Sequence, residues 1–258
     1  MKQYIVDAFT DKIFSGNPAA VCVLDKFPND DIMQSIAAEN NLSETAFVVN
    51  ENDRYHIRWF TPKSEIDFCG HATLATAYVL FNFYEQEDDT LNFCGQIGEF
   101  TVRRSGDLIK MEFPAYKLEH IEITDMMIEA LGTIPLAAYK DRDILFVLRD
   151  EDEVRDLQPD MALISKLDGA CIAVTAKGTK YDCVSRVFAP KYGVNEDPVT
   201  GSTHCMIAPY WSRRLNKSTI TAFQASSRTG ILYCESGGDK VIVSGKATLF
   251  SINDIVGL

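Results

Sequence analysis

The first nine residues, Met1-Lys2-Gln3-Tyr4-Ile5-Val6-Asp7-Ala8-Phe9, alternate as a strand does and lack the apolar core of a signal peptide. Short apolar runs at residues 20–25 and 46–49 flank a helical stretch from about Asp30 to Asn41, which predicts a strand-helix-strand unit. The same order recurs at residues 144–149, 161–167 and 171–174. A further strand is expected at residues 108–113, and residues 72–81 form an apolar run with no polar stripe, the pattern of a helix buried on all sides.

Two motifs repeat along with these elements. Trp59-Phe60-Thr61-Pro62 leads into Asp67-Phe68-Cys69-Gly70-His71-Ala72-Thr73, and Val187-Phe188-Ala189-Pro190 leads into Glu196-Asp197-Pro198-Val199-Thr200-Gly201-Ser202-Thr203. Each joins an aromatic strand end to a polar loop, then to a glycine that opens a helix. Helix starts carry free N–H groups that attract anions, so Gly70 with Ala72 and Thr73, and Gly201 with Ser202 and Thr203, are the candidate substrate-binding positions. The pairs Val23/Val147, Phe60/Phe188 and Gly70/Gly201 keep a nearly constant separation. The chain therefore reads as two similar halves, residues 1–115 and 116–258, within the usual domain size.

Composition narrows the function. The 258 residues carry a formal net charge of −12 and are 46% hydrophobic, with no stretch near the length of a membrane span. The charge argues against a nucleic-acid partner for want of a basic face, no membrane association is expected, and a cytoplasmic location is expected. Seven cysteines without a CxxC pair, and four histidines without an HxxxH or HExxH pattern, argue against a disulfide framework and against a metal site. No nucleotide or flavin motif is present, so no cofactor is expected.

Four residues carry candidate chemistry. Glu44, in Asn41-Leu42-Ser43-Glu44-Thr45, has Gly169 as its counterpart when residues 46–49 are aligned with 171–174, so the shared fold does not need the carboxylate. It reads as a general acid/base or as a surface or capping glutamate. His71 follows the first helix-opening glycine, as a proton-handling group or a helix-start residue. Asp197 precedes Pro198, as a proton shuttle or a turn carboxylate. Cys69, beside a helix start, is a further candidate base or nucleophile, although a Cys-His hydrolase arrangement is disfavoured because Cys69 and His71 stand only two apart. Arg186 and Arg228 are weaker candidates, since an Arg in an alternating strand more often lies on a solvated face.

These motifs resemble the phenazine-biosynthesis PhzF-like proteins, which share the diaminopimelate epimerase fold, over nearly the whole chain. The resemblance rests on Ser15-Gly16-Asn17-Pro18-Ala19-Ala20, Asn41-Leu42-Ser43-Glu44-Thr45, Arg58-Trp59-Phe60-Thr61-Pro62 with Cys69-Gly70-His71-Ala72-Thr73, and Arg186-Val187-Phe188-Ala189-Pro190 with Glu196-Asp197-Pro198-Val199-Thr200-Gly201-Ser202. It implies an α/β (α+β) chain of two similar halves, each a curved, mostly antiparallel sheet wrapped around a central helix, with the active site in the cleft between them. It also implies a homodimer and an isomerase of the trans-2,3-dihydro-3-hydroxyanthranilate type, moving a proton without a cofactor. The glutamate shuttle of the family corresponds to Glu44, its histidine to His71, its aspartate to Asp197 and its serine to Ser202. The epimerase relatives use two cysteines, of which only Cys69 has a counterpart here. One departure is the loop Gln224-Ala225-Ser226-Ser227-Arg228-Thr229-Gly230, where the family often places other residues after the glutamine and the arginine.

The leading expectation is thus an isomerase of a small carboxylated substrate. The alternatives are a racemase or epimerase using Cys69 and Asp197, and a non-catalytic metabolite-binding or interaction module.

Overall fold

The computed structural model describes residues 1–257. In chain order the elements are β1 (Lys2–Ala8), β2 (Asn17–Leu24), α1 (Asp30–Asn40), β3 (Glu44–Glu51), β4 (Arg54–Phe60), β5 (Glu65–Ile66), α2 (Gly70–Phe83), β6 (Thr90–Gly95), β7 (Gly98–Ser105) and β8 (Leu108–Pro114). They continue with β9 (Glu119–Ile121), α3 (Asp125–Leu131), β10 (Ala137–Lys140), β11 (Ile144–Val147), α4 (Glu151–Asp156), α5 (Met161–Ile164), β12 (Ile172–Lys177) and β13 (Cys183–Ala189). After a 3-10 turn at Pro190–Tyr192 come β14 (Val194–Asp197), α6 (His204–Leu215), β15 (Thr219–Gln224), β16 (Gly230–Gly237), β17 (Lys240–Gly245) and β18 (Ala247–Asp254). The result is a sheet-dominated mixed α/β fold.

Two compact units emerge, Met1–Glu112 with the residues from Ser244 onward, and Phe113–Val243. The sequence expectation assigned the whole of 116–258 to the second half. The last segment instead belongs to the first unit, because β18 pairs antiparallel with β1 from Lys2↔Asp254 to Ala8↔Ala247.

In the first unit β2 runs parallel to β3, β3 antiparallel to β4, β4 antiparallel to β5 and parallel to β6. The parallel β2–β3 pair needs a crossover, which α1 supplies. Asn29 caps that helix by accepting from the Ile32 N–H at 2.9 Å, and Asn41, left-handed at φ 48°, ends it. The second unit repeats the succession. There β11 is parallel to β12, β12 antiparallel to β13, and β13 antiparallel to β14 and parallel to β15.

Helix α2 is the centre of the first unit and packs on β1, β2, β3, β7 and β18. Every residue from His71 to Ala77, and Val79, Leu80 and Phe81, is buried, as the unbroken apolar run foretold. In the second unit α6 packs on β15 and β16, with all residues from His204 to Trp211 buried. It starts at His204, three residues after the expected glycine. Gly201, Ser202 and Thr203 form a tight turn whose carbonyls accept from His204, Cys205 and Met206 at 3.1, 3.0 and 3.0 Å. Among the described residues no helix is long and apolar enough to cross a membrane.

Candidate active site

The first unit gathers Glu44, Cys69 and His71 through two elements. Glu44 is the first residue of β3, Cys69 is the N-cap of α2, and His71 lies in that helix's first turn. Asn17, at the start of β2, completes the group. It follows Gly16, whose φ of +69° and whose backbone approach suit only glycine, since a Cβ there would stand 2.2 Å from the Ala8 carbonyl oxygen.

His71 is the hub. Its Nε2 lies 3.0 Å from Glu44 Oε2, in ion-pair contact but without an aligned hydrogen bond, and both atoms are buried. Its Nδ1 faces Asn17 Nδ2 at 3.2 Å and Cys69 Sγ at 3.4 Å. Both neighbours can donate, so in the neutral ring Nδ1 accepts and the proton sits on Nε2, toward Glu44. A second proton on Nδ1 would need the Cys69 sulfur, or the Asn17 amide turned end for end, as acceptor. Burial opposes the imidazolium, while the neighbouring Cys69 and Glu44 groups favour it, and the net direction for His71 is well above its ordinary value. The Cys69 thiol is pushed up to about 11, first by burial and then by Glu44, so it is neutral at neutral pH.

Cys69 and His71 therefore do face each other, against the expectation from their spacing. The N-cap backbone is extended (φ −141°, ψ 114°), and Sγ lies over the first helical turn, 3.4 Å from His71 Nδ1. Glu44 stays 15% exposed at its side chain, and Gly70 has open space, a Cβ there meeting nothing nearer than the Phe68 ring at 3.9 Å. The fold does not demand that glycine, whose bare N–H can be approached closely by a ligand. Thr73 contributes no donor, because its hydroxyl bonds back to the Cys69 carbonyl at 2.6 Å and is fully buried.

The second unit holds Asp197, Gly201, Ser202 and Thr203. The Thr200 hydroxyl donates to Asp197 Oδ2, Gln224 Nε2 donates to the Asp197 carbonyl at 2.8 Å, and the Thr200 N–H donates to Gln224 Oε1 at 2.9 Å. Ser226 donates to the Pro198 carbonyl at 2.7 Å, so the departing loop 224–230 buttresses the Asp197 segment. Ser202 is half-buried, whereas Thr203 is fully buried and donates to Asp143 Oδ2 at 2.7 Å. Asp143, which sequence reasoning missed, also accepts the Cys171 N–H at 3.1 Å, and burial raises its carboxyl above the ordinary value. A second buried histidine was missed as well. His204 donates from Nδ1 to the Thr200 carbonyl at 2.7 Å, and burial lowers it to about 4.

Arg186 is not a solvated residue. It forks onto Glu196 and is 11% exposed at its side chain, with Nη1 2.6 Å from the Leu157 carbonyl oxygen. Arg228 is half-buried in its turn. The counterpart of Glu44 also changes. Thr45 pairs with Phe60 and Ile172 with Phe188, so the residue in Glu44's place is Cys171, a buried thiol pushed up to about 12, rather than Gly169.

The site thus joins a carboxylate-imidazole pair to a helix start within a sheet-rich two-unit α/β fold. Residues 6–252 match the family described as Phenazine biosynthesis-like protein, and the chain belongs to it. It is 49% identical over 245 residues, 95% of each chain, to a Pseudomonas aeruginosa protein named as an uncharacterized isomerase. A crystal structure of a PhzF-family protein from Enterococcus faecalis is 49% identical and superposes with a TM-score of 0.95, covering 97% of both chains. The fold alone extends to a probable proline racemase from Agrobacterium radiobacter, at 9% identity and TM-score 0.63, over 99% of this chain and 92% of that one.

Proposed function

We propose that this protein is a cofactor-independent isomerase that moves a proton on a small carboxylated substrate, with Glu44 as the general acid/base. The observation that carries the reading is the buried Glu44–His71 pair at 3.0 Å, with the carboxylate still partly exposed. Nε2–H of His71 steadies the Glu44 carboxylate, which accepts a carbon-bound proton and returns it to another carbon. Negative charge that develops on the substrate is met by the open N–H groups at Gly70 and His71, which need no reorganisation to receive it. Asp197 is the second unit's proton-handling group, and its turn at Gly201 and Ser202 offers further donors.

A racemase using the Cys69 thiol is disfavoured by its position near 11, far from a working base at neutral pH. The non-catalytic module is separated from both by one assay. A panel of amino, hydroxy and cyclohexadiene carboxylic acids, including trans-2,3-dihydro-3-hydroxyanthranilate, is incubated with the protein in heavy water and followed for deuterium at carbon. The reading expects incorporation that Glu44→Gln removes. Incorporation undiminished in Glu44→Gln rules out Glu44 as the carrier, and tight binding with no incorporation favours the module.

A further inference from the structure

The two units share a device that the proton-transfer reading does not use. In the first unit Arg58 donates from Nε and Nη2 to the two oxygens of Glu65, both at 2.7 Å, and its guanidinium lies over Phe60 at 5.2 Å. In the second, Arg186 donates from Nε and Nη2 to the two oxygens of Glu196, at 2.7 and 2.9 Å, and lies over Phe188 at 5.1 Å. The registers agree, with Glu65 opposite Phe60 and Glu196 opposite Phe188. Each is an Arg-x-Phe strand end that forks onto a glutamate of the short strand leading toward the helix start.

The surroundings of the two forks differ. The remaining Arg58 nitrogen, Nη1, reaches Asp30, which is 75% exposed. Arg186 Nη1 instead meets the carbonyl oxygens of Val154, Arg155 and Leu157 at 3.3, 3.3 and 2.6 Å. That guanidinium is fixed on both sides, since moving it would leave buried carbonyls and a carboxylate without donors. The strand it holds needs such fixing. β14 has four residues, pairs with β13 across a bulge at Phe188/Ala189, and ends on Asp197. A strand that short has little ladder of its own to set the place of its last residue.

We propose that Arg186, acting through Glu196, is a positioning residue for Asp197. The inference rests on the reading of Asp197 as a proton-handling group. Arg186 touches no reacting atom in this account. It sets where Glu196 stands, the peptide bond carries that placement to Asp197, and the Thr200 and Gln224 hydrogen bonds complete it.

The test uses Arg186→Lys, which keeps the charge but cannot fork, and Glu196→Gln, which keeps the size, with Arg58→Lys as the comparison. The first readout is amide hydrogen exchange at Thr200, whose N–H is held by Gln224, measured against the core amide of Val174. Both second-unit variants are expected to lose at least about tenfold of Thr200 protection with Val174 unchanged, and Arg58→Lys to leave both alone. The second readout is deuterium incorporation into whichever panel acid the wild-type protein exchanges, where kcat is expected to fall at least about tenfold with KM within about twofold. Unchanged Thr200 protection in both variants overturns the proposal, as does a rise in KM at constant kcat. Should the wild-type protein exchange no carbon-bound proton, the functional reading fails by itself and the Thr200 readout still decides the clamp.

Discussion

His71 and His204 each lie in the first turn of the buried helix of their own unit, and their neighbours drive them in opposite directions. His71 has a carboxylate 3.0 Å from one nitrogen, and its charged form is favoured despite burial. His204 has a backbone carbonyl at one nitrogen and the Ser185 hydroxyl 3.5 Å from the other, with nothing ionised to offset its burial, and it is held neutral down to about 4. Depth therefore does not separate a proton-handling histidine from a structural one. Ionisable neighbours within hydrogen-bond reach do, and in the first unit these are Cys69 and the Glu44 carboxylate.

Removing the Glu44 carboxylate gives the largest expected effect. Glu44→Gln should lower carbon-proton exchange by about 10²–10⁴-fold, the usual worth of a positioned acid/base, while far-ultraviolet circular dichroism stays native. A fall of less than about tenfold would move the chemistry away from the pair.

The second effect is on stability and sharpens the contrast. For His204 the unfolded value is near 6.5 and the folded one about 4, so between them the unfolded chain binds the extra proton and stability rises with pH. Urea titrations from pH 6.5 down to 4 should show a loss approaching about 1.4 kcal/mol per pH unit from this group. His204→Gln should flatten that part of the profile. His71 acts with the opposite sign. Its folded value is raised, so its contribution is fully present below 6.5 and is lost as pH climbs through the folded value, and Glu44→Gln should weaken that alkaline loss. Equal slopes for wild type and variant in either range would contradict the corresponding assignment.

The smallest effect belongs to the thiol. With Cys69 neutral at neutral pH, Cys69→Ser should reduce exchange by less than about tenfold, because a hydroxyl can still meet His71 Nδ1. Loss comparable to Glu44→Gln would instead identify a thiol-based racemase.

Much of this was legible in the sequence where a pattern has one physical cause. The largely apolar run at residues 72–81 suits an enclosed helix, and the succession of strand, helix and strand in each half follows from periodicity. Glu44 and His71 could each be singled out, but their contact depends on how β3 packs against α2 and is not encoded in spacing. The facing of Cys69 and His71 was misjudged because the direction of an N-cap side chain is set by its extended backbone. The counterpart of Glu44 was placed two residues away from Cys171, since register is fixed by cross-strand hydrogen bonds and two neighbouring apolar alignments look alike. Asp143, His204 and Gln224 sit as polar residues next to apolar segments, and that mismatch was the available signal for them.

The most direct test of the central claim is a ¹⁵N NMR titration of the ring nitrogens of His71 and His204 in the wild-type protein and in Glu44→Gln. The account predicts that His71 stays doubly protonated well above the ordinary histidine range and drops back in the variant, while His204 remains neutral down to about 4 in both proteins. A wild-type His71 that titrates with the variant, at or below the ordinary value, would contradict it.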